Sequence, residues 1–300
     1  MYFSIYYKAM SRNLLPYSGK DDKIYFVHSI LESGEDVLRL IFVEGVSGVG
    51  KTKLTQKLCD KLSEMGYCAR CYLEGDFKNP IDFYCTAYFK QHEYENLIAE
   101  FPDYLDDIAS NTIVAEDVRL VRYYSGETAL FDEPLLDILS KHELCINPSN
   151  PVPISEFSRV YKLVWEAFAE NQNIFPGFLL FDGSLFHHPI NDLMGNYNAS
   201  LDQIIHHVNT LAKSVKLLNP RVVYLSANDV AARLEKARVS RKQTPPSETQ
   251  IQFWKDRKQT DMEIMRQLSI PYSVYDISNE NWDSEIDTMV TRILNKDTDE

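Results

Sequence analysis

From residue 38 onward the chain alternates nearly continuous apolar runs with longer segments in which apolar residues recur every three or four positions. The run LRLIFVEG (38–45) ends in glycine and carries almost no polar position. It predicts a buried strand of a parallel sheet, covered on both faces. Leu54, Leu58, Leu62 and Met65 then follow helical spacing from Thr52, and Gly66 closes that helix. YCARCYLEGD (67–76) predicts a second strand ending in acids, and GFLLFDGSLF (177–186) a third. A helix over 199–218 is closed by Asn219-Pro220, and RVVYLSA (221–227) predicts a fourth strand. Ser247-x-x-Gln250 is a capping box opening a helix to about residue 268, followed by a fifth strand, PYSVYDIS (271–278), and a last helix over 283–294.

Between strands two and three, residues 77–176 read as mostly helical. Tyr84, Tyr88, Leu97 and Phe101 lie near helical spacing until Pro102, and 128–144 and 154–170 are amphipathic, separated by the turn-rich NPSNPVP (147–153). Residues 1–37 form an aromatic, polar N-terminal extension with no assigned role, in which KIYFVHSIL (23–31) could be a strand or hairpin arm. Alternating strands and helices predict an α/β fold: a three-layer α/β/α arrangement over 38–300, with a five-stranded, mostly parallel core sheet and a long helical insert. Ligands of such sheets bind at the carboxyl ends of the strands, where Gly45, Glu74, Asp76, Asp182 and Asn228 all fall.

The residues at those strand ends carry a specific chemistry. Gly45-x-x-x-x-Gly50-Lys51-Thr52 matches the phosphate-binding loop in full. Gly45, Gly48 and Gly50, with Ser47 and Val49 between them, turn backbone N–H groups toward phosphate oxygens, and the helix that follows adds its positive end. Lys51 is expected to reach the β and γ phosphates of ATP and to point into solvent in an empty loop; Thr52 is expected to ligate Mg²⁺. Asp182, closing the apolar run FLLFD, is placed to hold Mg²⁺ with it. Glu74 and Asp76 follow strand two, where a carboxylate can take a proton from an acceptor hydroxyl; the sequence does not separate them. Arg233, Arg238, Arg241 and Lys242 follow strand four, and arginines there can stabilise charge on a transferred phosphoryl group.

Composition narrows the partners. With 44% hydrophobic residues among 300, the chain can build a large core. A net charge of −13 opposes binding to nucleic acid or to an anionic membrane, so neither is expected. The N-terminus lacks a basic start followed by an apolar core, so no signal peptide is expected. An odd five cysteines suggest reduced thiols and a cytoplasmic location. Cys68-x-x-Cys71 has no second pair and reads as buried structural thiols. Phe83, Tyr84, Tyr88, Trp165 and Phe168 read as core. Arg119, Arg122 and Arg159 could meet an anionic acceptor or lie on the surface.

The succession of phosphate loop, acids after strand two, Asp182, a basic segment after strand four and YDIS before the last helix resembles the P-loop nucleoside and nucleotide kinases, particularly the thymidylate kinase and deoxynucleoside kinase branch. The resemblance spans 38–300 by topology; only the phosphate loop is a specific match. It implies a lid over 229–247 carrying Arg233, Arg238 and Arg241, with Arg233 on the nucleotide. It also implies an acceptor-side insert over 77–176 and adenine near Ser278 to Trp282. One departure stands out. Such kinases often carry Asp-Arg or Glu-Arg after strand three, whereas this chain has Asp182-Gly183-Ser184-Leu185-Phe186-His187-His188. Without that arginine, His187 and His188 become candidates for substrate contact. The expected function is ATP-dependent phosphoryl transfer to a small molecule, whether nucleoside, nucleotide or antibiotic-like alcohol, with a homodimer left open. The alternative is a nucleotide-dependent switch or ATPase acting through a protein partner. The chain has no guanine-reading N-K-x-D.

Overall fold

The computed structural model describes residues 38–146, 148–172, 177–278 and 282–295. The expected N-terminal extension and its strand lie outside them, as do residues 279–281 of the proposed adenine loop.

Five strands form the main sheet: β1 (Leu38–Gly45), β2 (Ala69–Tyr72), β8 (Gly177–Asp182), β9 (Pro220–Ser226) and β10 (Tyr272–Asp276), in the order β10-β9-β1-β8-β2. Every pairing among them is parallel, with Val43 beside Asp182 and Gly45 beside Leu225. β1 is central and buried along its whole length, which explains its nearly continuous apolar run. Its side chains alternate between two cores. Leu40 and Phe42 join Leu179, Phe181 and Trp165 on one face; Ile41 and Val43 join Phe178, Leu180 and Leu58 on the other. The chain leaves β1 in opposite directions across the sheet, toward β8 and β2 and toward β9 and β10. The crevice outside the carboxyl end of β1 is therefore the binding position this topology creates.

Helix α1 (Lys51–Glu64) buries Lys51, Leu54, Thr55, Leu58, Cys59 and Leu62, a single stripe at helical spacing. The segment expected to be mostly helical is mixed. It holds α2 (Gln91–Glu100), α3 (Leu105–Ser110), α4 (Leu135–Lys141) and α5 (Ile154–Gln172), and also an antiparallel sheet. That sheet pairs β3 (Thr86–Lys90), β5 (Val118–Arg122) and β4 (Thr112–Ala115), with a small hairpin of β6 (Tyr124–Ser125) and β7 (Thr128–Ala129) beside it. Tyr88, expected on a helix, lies in β3, and Tyr84 is exposed in the turn before it. The insert has its own core, in which Ala87, Phe89, Leu97, Val121 and Leu139 meet.

After β8 come α6 (His187–Gly195) and α7 (Leu201–Ser214), then α8 (Val230–Ser240), which carries Arg233 and Arg238 of the basic segment, α9 (Glu248–Arg266), and α10 (Trp282–Asn295). The capping box read at Ser247 is present: Gln250 N donates to Ser247 Oγ and Ser247 N to Gln250 Oε1. Among the described residues no helix is long and apolar enough to cross a membrane.

Candidate active site

The loop between β1 and α1 takes backbone conformations that only glycine adopts easily. Gly48 has φ +85°, and a Cβ there would stand 2.7 Å from the Arg233 carbonyl oxygen, so the loop lies directly on α8. A Cβ on Gly45 would stand 2.6 Å from the Leu225 carbonyl oxygen of β9. Val49 is buried beneath the loop and Ser47 is partly exposed. Gly50 caps α1 in the left-handed region, and α1 starts with no side-chain cap of its own, leaving its first N–H groups to a ligand.

Lys51 is buried rather than solvent-facing. Its ammonium lies 3.4 Å from the Val46 carbonyl oxygen and 3.3 Å from His187 Nδ1. A lysine ammonium can only donate, so where it hydrogen-bonds the ring, Nδ1 accepts and Nε2 carries the proton; the Gly45 carbonyl also lies against the ring. The Nε2 edge faces Glu74 Oε1 at 3.8 Å. Burial first, then the Lys51 charge, holds the His187 pKa well below its ordinary value, keeping the ring neutral. The ring also stacks on Trp254 of α9, with centroids 5.2 Å apart.

Thr52 Oγ1 donates to Asp182 Oδ2 at 2.5 Å, and the Glu74 backbone N–H donates to the same oxygen at 3.2 Å. Asp182 Oδ1 is buried and has no hydrogen-bond partner. Burial pushes the carboxyl up, against the pull of Lys51 and Thr52. A threonine hydroxyl beside a buried carboxylate with one oxygen unspent is the oxygen donor set that a hard divalent cation takes. The residues present therefore fit Mg²⁺.

Thr52 and Glu74 open onto a cavity of 780 Å³. Its far wall is built by Asp82, Glu127, His188 and Asp192, with Tyr161 and Cys145 beneath. Glu74 and Asp76 now separate. Glu74 is exposed to this cavity. Asp76 turns back on its own chain, its Oδ1 accepting from Lys78 N at 2.9 Å, and borders a smaller recess next door.

The basic segment also divides. Arg241 lines the cavity. Arg238 instead closes the end of α8, donating to the Thr244 carbonyl oxygen at 2.6 Å. Arg233, expected on the nucleotide, is buried and ties α8 down, with Nε on Asp229 and a terminal nitrogen on the Ile277 carbonyl oxygen, both at 2.7 Å. Its backbone, not its guanidinium, meets the phosphate loop. Arg119, Arg122 and Arg159 are likewise committed. Arg119 donates to the carbonyls of Glu116 and Val118, Arg122 to those of Phe77 and Asn79, and Arg159 pairs with Asp117 and Glu156. Ser278, implied near the base, accepts from Asn228 N at 3.3 Å and hydrogen-bonds Asp276.

Sequence reasoning passed over the residues that hold His187 in place. Glu44 is fully buried; its Oε1 accepts from Leu185 N at 2.7 Å and Phe186 N at 3.0 Å, and its Oε2 from His187 N at 3.3 Å. Burial pushes its pKa up to about 8. From the other side, buried Arg257 donates to the Phe186 carbonyl at 2.8 Å and pairs with Asp261 at 2.8 Å. The one available signal was an acid, Glu44, inside a strand whose only other polar side chain is Arg39. Cys68 and Cys71, expected to be buried, are half-buried free thiols, and the other three cysteines are free as well.

No protein-family model matches the chain, and no curated protein matches it. Among solved structures, a shikimate kinase from Bacteroides thetaiotaomicron is similar at 14% identity and TM-score 0.37, over 86% of this chain and 98% of that one. A deoxyadenosine kinase from M. mycoides is similar at 17% identity and TM-score 0.33, over 86% of this chain and 97% of that one. Likenesses at this level carry no argument of their own, and the functional reading rests on the chain's own geometry.

Proposed function

We propose that this protein transfers the γ-phosphoryl group of ATP to a hydroxyl of a small molecule. The observation that supports this reading most directly is that Thr52, at the mouth of the phosphate loop, and Glu74, beyond it, line one open cavity. A switch or partner-driven ATPase has no need of a second-substrate cavity beside its γ-phosphate. In this reading the loop N–H groups and Lys51 hold the triphosphate, Lys51 exchanging His187 for phosphate oxygen. Thr52 and Asp182 would hold Mg²⁺, which supplies neutralising charge on the phosphate oxygens. Glu74 orients the acceptor hydroxyl and takes its proton. The acceptor oxygen bonds to the γ-phosphorus, the bond from that phosphorus to the β–γ bridging oxygen breaks, and ADP leaves. Arg241 is the arginine placed to meet charge on the moving group. Five free thiols and the absence of a membrane-length helix among the described residues support a cytosolic setting.

The test is ATP consumption by the full chain with and without fractionated small metabolites, read together with mass spectrometry of the products. Turnover that depends on a metabolite and yields its phosphate ester is the expected outcome. Hydrolysis that only a protein fraction stimulates, with no phosphorylated product, would turn the assignment to the switch.

A further inference from the structure

The walls of the cavity say what kind of acceptor fits. Asp82 is 7% exposed and borders the cavity. Its Oδ1 accepts from Tyr84 N at 3.2 Å, but its Oδ2 has no hydrogen-bond partner. A buried carboxylate oxygen left without a donor is costly unless something arrives to supply one. His188 Nε2 is also without a partner and lies 3.8 Å from that oxygen, too far for a hydrogen bond between them. Both atoms are shut off from solvent as the side chains stand, so a single hydroxyl or ammonium about 2.8 Å from each would touch both once the two side chains part toward the cavity.

The charge around this gap is mostly negative. Glu74, Glu127 and Asp192 stand on the same cavity, with Arg241 as the one arginine or lysine among its lining residues. Burial and the neighbouring carboxylates of Glu143 and Asp82 push Asp192 up to about 8. Near neutral pH it therefore adds a largely protonated carboxyl, a hydrogen-bonding group and not a full charge, while Asp82, Glu74 and Glu127 supply the acids of the cavity. The arginines of the insert that could have received an anionic acceptor all spend their donors elsewhere: Arg119 and Arg122 on backbone carbonyls, Arg159 on Asp117 and Glu156. A phosphate or carboxylate entering here would meet Asp82, Glu74 and Glu127 against the single guanidinium of Arg241.

We propose that the acceptor is an amine-bearing polyol, such as an amino sugar or aminocyclitol, with an ammonium or hydroxyl seated between Asp82 and His188 and another hydroxyl presented to Glu74. This rests on the phosphotransfer reading for the second hydroxyl, but the binding claim stands on the cavity alone. It sets aside nucleotides and other anionic acceptors.

Calorimetry on the full chain tests it with 2-deoxystreptamine and glucosamine as amine-bearing polyols, myo-inositol as a neutral one, and inositol monophosphate and dCMP as anions. At least one amine should bind roughly tenfold or more tighter than myo-inositol, and the anions should bind more weakly still. Asp82→Asn keeps the oxygen that Tyr84 N uses and removes the charge; it should weaken amine binding by about tenfold or more, with the fold checked by circular dichroism. His188→Gln gives a second reading and should weaken it also. Equal binding of neutral and amine-bearing polyols, tighter binding of an anion, binding of none of the amines, or indifference to Asp82→Asn would each overturn the proposal. Amine binding without ATP-dependent phosphorylation would keep this inference and remove the phosphotransfer reading. Phosphorylation of an anionic acceptor would do the reverse.

Discussion

At the scale of single residues, the site is a set of polar atoms held short of their full complement of partners. Asp182 spends one oxygen on Thr52 and the Glu74 N–H and leaves the other bare in a buried place. Asp182→Asn should therefore keep the fold and ATP binding while lowering turnover by about a hundredfold or more at limiting Mg²⁺, because an amide is a poor ligand for a hard cation. Titration of initial rate against Mg²⁺ checks this; a native profile would reduce Asp182 to a cap for Thr52 and Glu74. Glu74→Gln belongs at the same scale. Glu74 faces the cavity and Asp76 faces Lys78 N, so the expected loss in kcat, about a hundredfold or more on the true acceptor, falls on Glu74→Gln and not on Asp76→Asn. Equal loss in both variants, or loss in Asp76→Asn alone, would reverse that assignment. Lys51→Ala should abolish turnover, and by taking away a positive neighbour it should raise the His187 pKa, observable by NMR titration.

At the scale of elements, the site depends on how α6 is pinned to the sheet and to α9. Glu44 reaches from β1 to the N–H groups at the start of α6, and Arg257 reaches from α9 to the carbonyls of the same turn. Both clamps act on the residues that carry His187. Arg257 is fully buried, and its loss would strand Asp261, also fully buried and otherwise held by the Tyr224 hydroxyl. Breaking a buried pair from one side costs about 3–5 kcal/mol. Arg257→Ala should accordingly lower Tm by roughly 10 °C, and thermal unfolding followed by circular dichroism would show it; an unchanged Tm would mean the pair is relaxed by water. The sequence made some of these elements plain and hid others for physical reasons. The core strands are covered on both faces, so LRLIFVEG, interrupted only by Arg39 and Glu44, and GFLLFD are nearly continuous apolar runs that few other structures permit. TAYFK, TIVA and VRLVR are strands of four or five residues, and Tyr88 and Phe89 face different cores, which looks like helical spacing when only the aromatics are counted. The phosphate loop was legible because its chemistry is local. The meeting of Asp82 with His188 was not, because it exists only once the insert folds back over α6. Charge runs were the least informative: the sequence shows that Arg233 and Arg238 are basic, but only the fold shows that carbonyls of Ile277 and Thr244 consume them.

At the scale of the molecule, a chain of net charge −13 keeps several acids buried, and this sets how its stability answers to pH. Burial raises Glu44 from 4.5 to about 8 and Asp192 from 3.8 to about 8. Glu143, Asp182 and Asp261 shift the same way, each chiefly through burial. Glu44 from about pH 4.5 and Asp192 from about pH 3.8 hold more protons in the folded chain than in the unfolded one up to about pH 8, so their contribution is full below that window and is lost as pH rises through it, and the other three act in the same direction. Two buried histidines act in the opposite sense. His207 is depressed to about 3 and His187 well below its ordinary 6.5, both by burial first, so their contribution is present above about pH 6.5 and is lost as pH falls. The two sets oppose each other on the acid side of about pH 6.5, and above it the carboxyl groups act without that opposition. The urea midpoint should consequently be higher at about pH 6.5 than at about pH 8.5. Glu44→Gln isolates one contributor. The amide keeps an oxygen for the N–H groups of Leu185 and Phe186 but cannot ionise, and it sets an N–H against that of His187, so it will be less stable at every pH. The reading that matters is the slope. If the burial of Glu44 is a source of the pH dependence, the difference in midpoint between the two pH values shrinks in Glu44→Gln. A slope identical to that of the native chain would mean that the three backbone donors around Glu44, with Lys51 nearby, already keep it ionised throughout.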